Sequence, residues 1–186
     1  MKPDLPQIDV ALPAVRALLR DAKVPFKIVG GLAVIHHGYE RFTRDVDVLV
    51  APDAMSSVET FLDAHGFSKI SDRRLRHDAT GVFVDMLPEG AQLRGPRHAP
   101  PLPSPNNVAS SETDPEVVAL PVLLEFKLDA GRRLDLTDVV QLLKRIDDTR
   151  YIYVEAAVRE EHRPELAGLR DEALQELEWD RMNGGT

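Results

Sequence analysis

Apolar residues in the N-terminal part of the chain recur first with a helical period and then in short runs bounded by turn residues. The helical period over residues 8–22 predicts an amphipathic helix. The apolar run of residues 26–29 that follows predicts a short buried strand, which ends at Gly30 and Gly31. A short helix is expected next, over residues 32–37. This region therefore predicts helix, strand, diglycine turn and helix, in that order.

The following segments predict more of a sheet. Acidic residues and valines alternate from Asp45 to Val50, which predicts a strand with the acids on one face and the valines on the other. A helix is expected from about Pro52 to His65. Two further strands are expected around residues 73–77 and 82–86. Residues 1–86 are therefore expected to form an α/β core.

The pattern changes at residue 87. Residues 87–116 contain seven of the fourteen prolines and no apolar period, which predicts a long loop or lid. Helical periods return over residues 122–130, 134–146 and 164–181. Residues 117–186 are therefore expected to form a helical part packed on the core.

The absence of cysteine narrows the possible chemistry. A chain without cysteine has no disulfide, thiolate zinc site or cysteine nucleophile, so any metal must bind oxygen or imidazole ligands. No apolar run is long enough to cross a bilayer, and the first residues lack the hydrophobic stretch of a signal peptide. We therefore expect a soluble cytoplasmic protein that makes no membrane contact.

The net charge of −8 argues against a protein that binds nucleic acid by bulk electrostatics, because such binding needs clustered cations. Two local basic sites are nevertheless present. One contains Arg73, Arg74 and Arg76, and the other contains Arg132 and Arg133.

The strand with alternating acids carries the first candidate chemistry. Asp45 and Asp47 are two residues apart, so their carboxylates project from the same face and repel each other unless a cation lies between them. Mg²⁺ accepts such oxygen ligands. Asp85, at the end of an apolar strand, offers a third carboxylate, and three carboxylates suit a two-metal nucleotidyl transfer site. The alternative is an edge strand with acids on its solvated face.

The diglycine carries the second candidate chemistry. Backbone N–H groups at a helix start bind phosphate, and glycine lets the phosphate approach closely. Because the acidic strand follows the helix, a triphosphate can be held by Gly30 and Gly31 at one end and by metal on Asp45 and Asp47 at the other. The alternative is a turn with no ligand.

Two sequence blocks together resemble the signature of the polymerase-beta nucleotidyltransferase superfamily. The first block is Val-Gly-Gly-Leu-Ala at residues 29–33 with Arg-Phe-Thr-Arg-Asp-Val-Asp-Val-Leu-Val at residues 41–50. The second, at residues 124–140, has a lysine followed by an arginine and paired aspartates. The resemblance spans about residues 24–146. Within the superfamily it is strongest to short bacterial proteins, including the nucleotidyltransferase-like toxins of type IV toxin–antitoxin systems.

This resemblance implies a mixed, strongly twisted sheet flanked by helices. It also implies that Asp45, Asp47 and Asp85 bind Mg²⁺ and act in catalysis, with the nucleoside triphosphate on Gly30 and Gly31. The glycine pair replaces the Gly-Ser common in the superfamily. This removes a hydroxyl contact to phosphate and leaves the binding to the backbone.

Five further residues have two interpretations each. Arg41 and Thr43 lie at the same alternate positions as Asp45 and Asp47 and are on the same face if the strand begins early. They then contact phosphate or order a carboxylate; the alternative is that they are simply exposed to solvent. Lys127 either neutralises the triphosphate or covers the core with its alkyl stem. Asp135 and Asp138 either act in catalysis or have the spacing of a helix N-cap followed by an acid at the third helical position, and we expect them to cap a helix.

These features predict a Mg²⁺-dependent nucleotidyltransferase that moves a nucleoside monophosphate from a nucleoside triphosphate to a hydroxyl acceptor. The acceptor can be an RNA terminus, as the toxin resemblance implies, a small hydroxylated molecule such as an aminoglycoside, or a protein side chain. The acceptor contacts are expected among Arg73, Arg74, Arg76 and Arg132. The alternative is a non-catalytic member of the fold that binds a partner such as a cognate antitoxin.

Overall fold

The computed structural model describes residues 7–93 and 95–184. Strands alternate with helices in the first half, and the second half is helical. The strands are β1 (Phe26–Ile28), β2 (Asp45–Val50), β3 (Phe67–Ser71), β4 (Arg74–His77) and β5 (Phe83–Pro88). The helices are α1 (Ile8–Asp21), α2 (Gly30–His36), α3 (Ala54–Val58), α4 (Leu62–His65), α5 (Leu120–Ala130), α6 (Arg133–Leu143), α7 (Asp148–Ala157) and α8 (Arg163–Met182), with 3₁₀ turns at Glu59–Phe61 and Glu160–His162.

The strands form one mixed sheet in the order β1-β2-β5-β4-β3. Strands β2 and β5 are parallel, and the other neighbouring pairs are antiparallel. Val46 and Val48 of β2 are fully buried, so the intervening acids face the other side of the sheet. The predicted α/β fold with a mixed sheet and a C-terminal helical part is confirmed.

One hydrophobic core joins the two halves of the chain. Helix α1 contributes Ala11, Val15 and Leu18, whose spacing places them on one buried face. Buried residues of the sheet and of α5, α6 and α8 belong to the same cluster. The helices of the second half therefore share one core with the sheet. The division into segments 1–86, 87–116 and 117–186 stays a prediction.

Four elements differ from the sequence expectation. Helix α2 already begins at Gly30, so the diglycine forms the first turn of the helix. The helix expected over residues 52–65 is divided by a 3₁₀ turn. Strand β3 was not predicted because only Phe67 in it is buried. Helix α7 was not predicted because Val154 is its only buried residue, which leaves no apolar period.

The long segment between β5 and α5 is tied to both halves of the molecule. Arg16 of α1 pairs with Asp114 at 2.6 Å. Arg97 places its guanidinium on both carboxylate oxygens of Glu165 in α8, at 2.5 and 2.6 Å. The described part of this segment contains no helix, as expected for residues 87–116, and a role as a lid stays a prediction. Within residues 7–93 and 95–184, no helix is both long and apolar enough to cross a membrane.

Candidate active site

A cleft of about 840 Å³ lies between one face of the sheet and helices α5 and α6. It is also bordered by the start of the long segment, through residues 91–93. The structure brings all eight predicted site residues to its wall: Gly30, Gly31, Arg41, Thr43, Asp45, Asp47, Asp85 and Lys127. Residues from both predicted sequence blocks therefore meet in one cavity.

The diglycine packs directly against the strand that carries the acids. Gly30 has a φ of +60°, and a Cβ atom there would lie 1.9 Å from Oδ2 of Asp47. A Cβ atom at Gly31 would lie 2.6 Å from Oγ1 of Thr43. The N–H of Val29 donates to the backbone carbonyl of Asp47 at 3.0 Å. Neither glycine has room for a side chain, so the bare backbone of the turn lies beside the carboxylate.

We expect Gly30→Ala to destabilise the protein by about 2–4 kcal/mol and to abolish nucleotide binding, because the new methyl group collides with Asp47 in a strained backbone conformation. Gly66→Ala is the matched control. Gly66 has a φ of +71° and open space around its Cβ position, so its substitution should cost only about 1 kcal/mol. Urea unfolding of both variants measures this difference. Equal losses would contradict the close packing of Gly30 on Asp47.

The two carboxylates of β2 fit a hard divalent cation. Asp45 and Asp47 share a face of the sheet, and Asp47 is adjacent to Asp85 in the parallel β2–β5 register. Burial in the cleft and, secondarily, the negative charges of Asp45 and Asp85 together raise the pKa of Asp47 to about 6. A cation bound to these oxygens would relieve the repulsion.

Asp85 is held by an arginine of the neighbouring strand. Nε of Arg74 lies 2.6 Å from Oδ1 of Asp85, and Nη2 lies 2.6 Å from Oδ2. In the described part of the chain, no group of three or more metal-binding side chains surrounds a single point. Among the described residues, no cationic side chain pairs with Asp45 or Asp47, and the role of Asp85 as a third ligand stays a prediction.

A network of buried charges lines the opposite wall. Nζ of Lys127 donates to Asp135 at 2.9 Å and to Asp138 at 2.7 Å. Arg132 donates to Asp135 at 2.6 Å, and Nε of Arg41 lies 3.0 Å from Oδ1 of Asp138. Burial acts to raise the pKa of Asp135, but the two cations hold it below its usual value. Arg41 and Lys127 thus line the cleft and are paired there with carboxylates of α6.

The expectation that Asp135 and Asp138 cap a helix is wrong. Helix α6 begins at Arg133, and its N-cap residue is Arg132, with no side-chain cap. Asp138 is fully buried, so it serves as a counter-ion. The helical spacing of Asp135, Asp138 and the buried Leu142 places all three on one face, and that period could have identified the buried pair from the sequence.

The four arginines predicted to contact the acceptor have different surroundings in the structure. Arg73 and Arg132 line the cleft. Arg74 also lines it but is paired with Asp85. Arg76 is not among the lining residues and lies 3.4 Å from Asp78. The pairing of Arg74 with Asp85 could not be predicted from the sequence, because it depends on the strand register.

The cleft also has an apolar side. Phe42 and Leu134 line it and are more than half exposed. Phe126 of α5 lies between them in the chain and lines the same cavity. A cavity of this size with an apolar side and a charged side can take a ring of a ligand on one side and its phosphates on the other.

The mixed sheet, the paired aspartates and the diglycine turn are the features that the resemblance to the nucleotidyltransferase superfamily implies. A family model described as aminoglycoside-2″-adenylyltransferase matches residues 11–91, which contain the turn and the three carboxylates. Because that family consists of nucleotidyltransferases, the match supports the predicted enzyme class.

One solved structure supports the same fold, and a second is similar over most of its length. A solution structure of the antibiotic-resistance factor ANT(2″)-Ia is 12% identical, with a TM-score of 0.53, and the match covers 92% of this chain and 100% of that one. A crystal structure of ANT(2″)-Ia in complex with adenylyl-2″-tobramycin is 13% identical, with a TM-score of 0.41, and covers 90% and 97% of the two chains. A comparison with curated proteins gave no match.

Proposed function

We propose that this protein is a Mg²⁺-dependent nucleotidyltransferase that transfers a nucleoside monophosphate to a hydroxyl group of a small acceptor, with aminoglycosides as the first acceptor class to test. The observation that carries the proposal is the direct packing of Gly30 on Asp47. It places a side-chain-free backbone segment, suited to phosphates, beside the carboxylates suited to the cation.

In the reaction, the acceptor oxygen attacks the α-phosphorus, the bond between the α-phosphorus and the bridging oxygen breaks, and pyrophosphate leaves. Gly30 and Gly31 provide the surface for the phosphates, and Arg41 lies next to that turn, with Nη2 at 2.9 Å from the Cβ position of Gly31. Asp45 and Asp47 would hold Mg²⁺, which would supply charge neutralisation at the phosphates. Asp85, once free of Arg74, accepts the proton of the acceptor hydroxyl.

Two features favour a small acceptor over RNA. The family model that matches is one of aminoglycoside-modifying enzymes, whereas no comparison supports a toxin or an antitoxin partner. The chain also has a net charge of −8 and only 5% aromatic residues, which is little for stacking along a polynucleotide. The match to the family model ends at Ala91. It therefore includes the diglycine turn and the carboxylates proposed to bind the nucleotide, but not the α5 and α6 side of the cleft.

We expect transfer of label from an α-labelled nucleoside triphosphate, ATP being the first choice, to an aminoglycoside in the presence of Mg²⁺. The assay compares the four nucleotides, an aminoglycoside panel and total RNA, with Asp45→Asn as the inactive control and Asp72→Asn, an exposed acid on the β3–β4 turn, as the active one. Label on RNA but on no small molecule would contradict the proposed acceptor class. Absence of transfer to every acceptor tested would contradict the proposed activity with these substrates.

A further inference from the structure

We propose that Arg74 is a built-in counter-ion of Asp85 that must release this carboxylate before Asp85 can serve the metal or the acceptor hydroxyl. This inference rests on the function proposed above and assigns Arg74 a positioning role. It makes binding of the free cation weak and couples full assembly of the site to arrival of the nucleotide.

The sheet register places the relevant groups side by side. Arg74 is opposite Asp85 in the antiparallel β4–β5 pair, and Asp47 is beside Asp85 in the parallel β2–β5 pair. Residues at the same register position project from the same face of a sheet. Arg74, Asp85 and Asp47 therefore form a row across three strands, and this row borders the cleft.

The Arg74–Asp85 contact uses both carboxylate oxygens. Two hydrogen bonds of 2.6 Å join the guanidinium to Oδ1 and Oδ2, which is the strongest arrangement for an arginine and a carboxylate. The ring of Phe83 lies 5.1 Å from the guanidinium carbon and holds its orientation. With both oxygens engaged, Asp85 has reduced capacity to bind a cation or to accept a hydrogen bond from the acceptor hydroxyl.

The pair is nevertheless accessible enough to exchange partners. The Arg74 side chain is 42% exposed and the Asp85 side chain 24% exposed, so neither is locked in the core. Arg74 is also attracted by the negative charges of Asp45 and Asp47. In the absence of nucleotide, a divalent cation must displace the Arg74 guanidinium from the Asp85 carboxylate. A nucleotide brings phosphates to which Arg74 can transfer.

Calorimetric titration of Mn²⁺ into the nucleotide-free protein tests the proposal without relying on activity. We expect Arg74→Gln to bind Mn²⁺ about 10-fold more tightly than wild type, because Asp85 becomes free. Arg76→Gln is the matched control: Arg76 lies two residues along the same strand, pairs with Asp78 and is not a lining residue of the cleft. It should leave the affinity unchanged.

Two further variants separate this positioning role from a structural one. In Arg74→Gln with Asp85→Asn, the gain in Mn²⁺ affinity should disappear. Arg74→Lys retains the positive charge but not the two-point guanidinium contact, so its gain in Mn²⁺ affinity should be smaller, about 3-fold. This variant also provides the test if Arg74→Gln does not fold.

Unchanged Mn²⁺ affinity in the folded Arg74 variants would overturn the proposal, as would a gain that persists without Asp85. If wild type transfers nucleotide and the Arg74 variants leave Mn²⁺ affinity unchanged, only this inference fails. If wild type binds neither Mn²⁺ nor Mn²⁺ with nucleotide, the proposed function fails as well.

Discussion

Asp47→Asn is expected to reduce nucleotidyl transfer by a factor of about 10³ or more while making the metal-free protein more stable. Transfer falls because the variant loses a carboxylate that the cation needs. Stability rises because Asp47 is buried near two other acids, and its ionised form is unfavourable in the folded state.

The pH dependence has a defined sign. The folded-state pKa of Asp47 lies at about 6, above its ordinary value of 3.8, so the folded protein binds this proton more tightly than the unfolded chain. Wild type therefore loses stability as pH rises from about 4 to 6, and Asp47→Asn escapes this loss. The stability advantage of the variant should be absent below pH 4 and reach about 3 kcal/mol at pH 7.5, which is the rise in pKa multiplied by about 1.36 kcal/mol per unit.

Urea unfolding in EDTA at the two pH values measures this effect. Asp72→Asn is the control because the Asp72 side chain is 98% exposed, and its effect should be the same at both pH values. An Asp47→Asn variant that melts far below wild type without metal would show that the carboxylate is structural.

Asp138→Ala is expected to destabilise the protein by about 3–5 kcal/mol, because it leaves the buried Lys127 without one of its two carboxylates and removes the partner of Arg41. Asp138→Asn should cost less, since the amide oxygen still accepts one hydrogen bond. Both variants should also raise the KM for the nucleotide, as the two cations border the cleft.

Glu59→Ala is the control for Asp138→Ala. Glu59 forms an exposed ion pair with Lys69 at 2.7 Å, and its loss should cost at most about 1 kcal/mol. Thermal and urea unfolding provide the comparison. If Asp138→Ala costs no more than Glu59→Ala, the buried network does not support the cleft.

The sequence predicted the elements that have a strong pattern. Residues 45–50 alternate acid and valine, and β2 has the same bounds. The period of residues 8–22 likewise matches α1, which spans Ile8–Asp21. Strand β3 and helix α7 have few buried residues, so their formation depends on tertiary packing that no local pattern reveals.

The candidate site was predictable as a set of residues but not as a network. The alternation of side chains along β2 placed Asp45 and Asp47 on one face. The resemblance to the superfamily added Lys127 to the candidate site. Pairing of Arg74 with Asp85 requires the β4–β5 register, and pairing of Arg41 with Asp138 joins residues that are far apart in the chain. Such contacts follow from the assembled fold, because two elements must meet before their charges can pair.

The central claim is that the diglycine turn and the β2 carboxylates form one metal-dependent nucleotide site. Calorimetric titration of a non-hydrolysable ATP analogue, with Mg²⁺ and with EDTA, tests it most directly. We expect binding in Mg²⁺, a loss of at least about 10-fold in EDTA, and a loss of the same size for Asp45→Asn in Mg²⁺. Binding of equal strength with and without Mg²⁺, unaffected by Asp45→Asn, would contradict the account.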